Sequence, residues 1–210
     1  MNRLNWLIIS GIIYFICLQT EIGVFIFLPI ELLTTFLHEF CHAITCIISK
    51  GSVESLQINL DCSGLTNTIE GNQEFMFFSG YIGSCIISNI LMWCSLSNYN
   101  TRVISIIISF CALFTAFYWY DNDISSSILI CISIGFLLLS LLKIQSFILQ
   151  FISIACLIDI INDFNVGPMS DLEEFHNLVG IFSVNVWMYI WLGVVLLITL
   201  FNIKLILKHF

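Results

Sequence analysis

Five consecutive residues carry the chemistry that this chain offers: His38-Glu39-Phe40-Cys41-His42. On a helix, positions four apart lie one turn apart on the same face. Two imidazoles so placed can grip one tetrahedral zinc ion and leave positions for a third ligand and a water. Glu39 falls on the flank of that face, within reach of such a water and offset from the ligand pair. The flanking residues from Ile30 to Lys50 are mostly Leu, Ile, Phe and Ala. On a helical projection, Glu31, Thr35, His38, His42 and Thr45 gather within about 80°. A polar stripe on an otherwise apolar helix faces protein or a water-filled cavity, because an ionisable group left in lipid is costly.

The elements that must position this helix follow from composition. Of the 210 residues, 59% are hydrophobic and only 10% charged, with a mean hydropathy of +1.03. A soluble domain of this size cannot hide so much apolar surface, so a polytopic membrane protein set in a lipid bilayer is expected. The net charge is −8, and six scattered Lys and Arg offer no basic patch for phosphate, which speaks against a nucleic-acid partner. Nine cysteines without a CxxC pair read as reduced, small apolar filler; Cys41 and Cys46, near the motif, are also possible ligands.

Read in order, the chain predicts six or seven transmembrane helices, all-α apart from one short β-hairpin. Leu4–Leu18 follows Arg3 and lacks a small-residue cleavage pattern, so it is read as a retained span. The motif helix covers 22–49, with a kink or break expected at Pro29. Residues 51–71 change character: Leu56, Ile58 and Leu60 alternate with Gln57, Asn59 and Asp61, and alternation resumes from Leu65 to Ile69. This is the pattern of a hairpin turning at Asp61–Gly64, whose edge could pair with an extended peptide. Further spans are expected at 74–96, 102–120, 124–142, 144–161 and 182–205. In the third, Ser79, Gly80, Gly83, Ser84 and Ser88 permit close helix approach, and Asn89 is either a donor supporting the motif or an interhelical hydrogen bond. The next two spans read as structural. Between the last two, Gly167-Pro168 marks a turn, and Ser170 with Glu173 forms a capping box that starts a helix. The Lys and Arg divide two against four between the two sides, which leaves orientation open.

With these residues in view, the chain resembles the site-2 protease family of intramembrane zinc metalloproteases, and specifically its short B-type branch. His38-Glu39-Phe40-Cys41-His42-Ala43 is similar to the family's HExxHA helix. Gly64-Leu65-Thr66 resembles the end of its membrane-dipping β segment, Ser79-Gly80-Tyr81-Ile82-Gly83 its small-residue helix, and Ser170-Asp171-Leu172 the Ser-Asp-Ala element of the branch.

The resemblance implies a single integral-membrane metalloprotease domain over 1–210, with the third ligand supplied from segment 159–176. His38 and His42 would hold Zn2+ with Asp171 as third ligand. Glu39 would be the general base for a metal-activated water that cleaves a membrane-anchored protein. The chain lacks the Leu-Asp-Gly-type element of longer members, so Asp159 and Asp163 stand as alternative third ligands, with His176 behind them. The alternative function is a catalytically inactive relative that binds zinc or membrane proteins without hydrolysis.

Overall fold

Each apolar run forms a helix. The structure, a computed structural model, describes residues 3–97, 100–164, 167–168 and 170–209. Asn165, Val166 and Met169 of the segment before the late helix lie outside the described residues. In chain order the elements are α1 (Arg3–Cys17), α2 (Glu21–Ile48), β1 (Ser52–Ile58), β2 (Gly64–Ile69), α3 (Gln73–Ser97), α4 (Thr101–Tyr118), α5 (Asp123–Leu139), α6 (Gln145–Asn162), α7 (Asp171–Val179) and α8 (Val184–His209). By length and composition α2, α3, α4, α6 and α8 can cross a membrane, while α1 and α5 are apolar but shorter, at 15 and 17 residues. The architecture is thus that of an all-α polytopic membrane protein with one small two-stranded sheet.

The motif helix α2 is one element of 28 residues. Pro29 removes a backbone donor, yet the helix is not broken there, and its start is fixed instead by Thr20, whose hydroxyl accepts from the Gly23 amide at 3.1 Å. Helix α1 is docked onto the bundle by Tyr14, fully buried, whose hydroxyl donates to Oδ1 of Asp159 on α6 at 2.6 Å.

The hairpin lies against α2. Its strands pair antiparallel with Leu56 opposite Thr66 and Ile58 opposite Gly64, and a register shift falls between Val53 and Ser55. Leu56 and Ile58 are fully buried, as alternation predicts, but β1 ends at Ile58 and Leu60 is 61% exposed: the chain has begun its turn, and the period of two lapses with it. The outer edge of β1 is closed by the α4–α5 connection. The Leu56 amide donates to the Trp119 carbonyl at 2.9 Å, and the Ile58 amide donates to Oγ of Ser125 at 2.9 Å. Helices α4 and α5, read from sequence as purely structural, therefore also cover one side of the sheet.

Asn89 resolves as an interhelical bond. Its amide donates to Oγ1 of Thr199 at 3.2 Å, and Asn202 donates to its Oδ1 at 2.8 Å, tying α3 to α8. All nine cysteines are free thiols.

Candidate metal centre

Helical period brings His38 and His42 side by side, with ring centroids 4.7 Å apart. One donor atom from each of His38, Glu39 and His42 lies within 4.8 Å of the others. The His42 ring is fixed from behind: its Nδ1–H donates to the Met76 carbonyl on α3 at 2.7 Å, which turns Nε2 toward the cluster.

The third arm arrives from 129 residues downstream. Ser170 caps α7 by accepting from the Glu173 amide at 3.3 Å, and so sets Asp171 in the helix's first turn, where a carboxylate is favoured by the dipole. From there Oδ2 of Asp171 lies 2.7 Å from Nε2 of His38 and 3.1 Å from Nε2 of His42. Burial alone would raise the Asp171 carboxyl, yet the imidazoles of His42 and His38 beside it hold it well below the usual carboxylate range. Donors around a tetrahedral zinc sit about 3.3 Å apart, so this oxygen and these nitrogens fit such an ion with a small outward shift.

The other acids go elsewhere. Asp159 accepts from Tyr14 and, at Oδ2, from the Thr34 hydroxyl at 3.2 Å, which makes it a buried clasp joining α1, α2 and α6. Asp163 ends α6, and its backbone carbonyl accepts from the Tyr81 hydroxyl at 3.0 Å. Burial pushes its carboxyl up, with His38 opposing. Both acids line the same cavity as His38, Glu39 and Asp171, about 590 Å³ in volume. His176 sits in the last turn of α7 and does not line that cavity. Cys41 and Cys46 are turned away from the cluster, toward Gly83 and toward Gly51 with the Ser52 carbonyl.

Three contributors were read from sequence only as parts of the β segment and of the close-packing helix, without a place at the site. Thr66 on β2 donates to Oε2 of Glu39 at 2.6 Å. Gly64, two residues earlier on the same face, lies so close that a Cβ there would sit 2.6 Å from Oε1 of Glu39. Gly80 on α3 packs directly against the imidazoles: a methyl there would collide with Nε2 of His38 and lie 2.7 Å from Cε1 of His42. The period of two in β2 and the small-residue run in α3 were the available signals, and neither says what it faces. The predicted stripe on α2 divides its work: Thr35 donates to the Cys62 carbonyl at 2.8 Å and Glu31 Oε2 accepts from the Cys62 thiol at 3.6 Å, so its upper part holds the hairpin turn.

No curated protein and no solved structure matches the chain. A family model described as Peptidase M50B-like matches residues 8–202, which takes in the motif helix, the hairpin and Asp171. The chain therefore belongs to that family, the B-type branch of the site-2 proteases, and is a multi-pass integral membrane protein of a metallopeptidase lineage.

Proposed function

We propose that this chain is a single-domain intramembrane zinc endopeptidase that hydrolyses a peptide bond of a membrane-anchored protein. The observation that carries the reading is the approach of Asp171 Oδ2 to both imidazole nitrogens, at 2.7 and 3.1 Å, with the Glu39 carboxylate beside them. His38, His42 and Asp171 would hold zinc, which supplies the Lewis acid that makes water nucleophilic near neutral pH. Glu39 takes the proton of the attacking water and returns it to the leaving amine. The Thr66 hydroxyl keeps that carboxylate aimed at the cluster, and the burial of Glu39 strengthens every charge interaction it makes.

A substrate helix shields its own carbonyls and must unwind to be cut. The hairpin supports a place for the unwound strand. Leu56 and Ile58 direct their amides away from β2, so their partners Thr66 and Gly64 turn their own backbone groups outward, to the edge that no other described strand covers. An extended segment adding there would run beside Glu39.

The test uses the full chain in liposomes with a single-span candidate substrate. Glu39→Gln is expected to keep zinc and lose cleavage by about 10²-fold or more. Equal cleavage by wild type and variant overturns the mechanism. An inactive zinc-binding relative has no use for this base, and a carboxylate buried and held by a dedicated hydroxyl argues for the enzyme.

A further inference from the structure

The two imidazoles are oriented by different means. His42 is locked by its Nδ1–H bond to the Met76 carbonyl. Among the described residues nothing hydrogen-bonds Nδ1 of His38, although a ligating imidazole ordinarily has such a partner. What His38 has is a ring. Tyr81, 4% exposed on α3, meets it edge to face, with centroids 4.7 Å apart and planes at 87°. Tyr81 also stacks on Phe164 at 4.4 Å and 14°, and its hydroxyl donates to the Asp163 carbonyl at 3.0 Å. Asp163 and Phe164 open the connection that ends at Asp171.

We propose that Tyr81 is the positioning residue of the metal centre: its ring sets the plane of the His38 imidazole, and its hydroxyl holds Asp163 at the end of α6, from which the chain goes on to Asp171. One side chain thereby couples a ligand on α2 to a ligand on α7. Aromatic packing does for His38 what a carbonyl does for His42. The same contact explains why α3 needs Gly80 immediately before Tyr81: the backbone must lie against the imidazoles for the next residue's ring to flank one of them.

The inference rests on the zinc reading above, and the test separates the two. Zinc affinity of the purified full chain is measured by chelator competition for wild type, Tyr81→Phe, Tyr81→Leu and His38→Ala, and the visible absorption of the cobalt-loaded forms is recorded. Tyr81→Phe, which keeps the ring, is expected to bind zinc about tenfold more weakly, and Tyr81→Leu about 100-fold. The cobalt bands should shift in Tyr81→Leu, a change that loss of stability alone does not produce in the metal-loaded fraction. If Tyr81→Leu fails to fold, Tyr81→Phe carries the test. Wild-type affinity in either folded Tyr81 variant, with binding lost in His38→Ala, overturns the role of Tyr81. Wild-type affinity in His38→Ala overturns the metal centre itself.

Discussion

The hydroxyl of Thr66 lies 2.6 Å from Oε2 of Glu39 and donates to it, so the hairpin touches the motif helix at the carboxylate of its HExxH segment. The contact is polar, partly buried and spans 27 residues of sequence. On the proposed mechanism it would join the element that holds a substrate strand to the group that moves the proton.

Thr66→Val removes this donor and keeps the shape. A hydrogen bond to a charged group contributes about 1.5–3 kcal/mol, so kcat should fall about tenfold or more while KM stays near wild type. Thr66→Ser should recover most of the loss. Steady-state cleavage in liposomes reads both parameters.

Gly80→Ala places a methyl where the imidazoles are. Zinc affinity should drop by about tenfold or more, because the rings must rotate or α3 must retreat. Gly135→Ala on α5, whose added methyl meets nothing within 4 Å, should bind zinc as wild type does. Chelator competition compares them directly.

Asp171→Asn and Asp159→Asn should behave as different kinds of variant. The first removes the charge facing both imidazoles, so zinc binding should weaken at least tenfold. The second should leave zinc affinity within twofold and lower stability by about 1–3 kcal/mol, since an amide offers one acceptor oxygen where Tyr14 and Thr34 now use two. Reversed outcomes would reassign the third ligand to Asp159.

Asn89→Leu should loosen α3 from α8 by about 0.6–2 kcal/mol, the scale of hydrogen bonds between helices in lipid. Asn202 then loses its side-chain acceptor. Unfolding in mixed micelles should register the loss, with zinc affinity unchanged.

Local periodicity determined a good deal of this protein before any packing was known. Spacing of four put His38 and His42 on one face, because a helix repeats every 3.6 residues whatever surrounds it. Spacing of two buried Leu56 and Ile58 together. Ser170 announced the start of α7, because its side chain satisfies an amide that the helix itself leaves unpaired. The apolar runs declared the membrane.

Only the tertiary structure decided what those faces meet. Asp159, Asp163 and Asp171 are equally acidic and equally late, and no periodicity relates them to a helix more than a hundred residues earlier. The last turn of α6 and the capped start of α7 separate them, giving Asp159 to Tyr14 and Asp171 to the imidazoles. Gly80 and Gly83 share one small-residue run, yet Gly80 lies on the imidazoles and Gly83 on Cys41. Alternation set Thr66 apart from Leu65, but the docking of the hairpin on α2 chose the face that Glu39 receives. A repeat within one segment fixes which residues travel together; the partner they reach depends on long-range packing, which a local repeat does not encode.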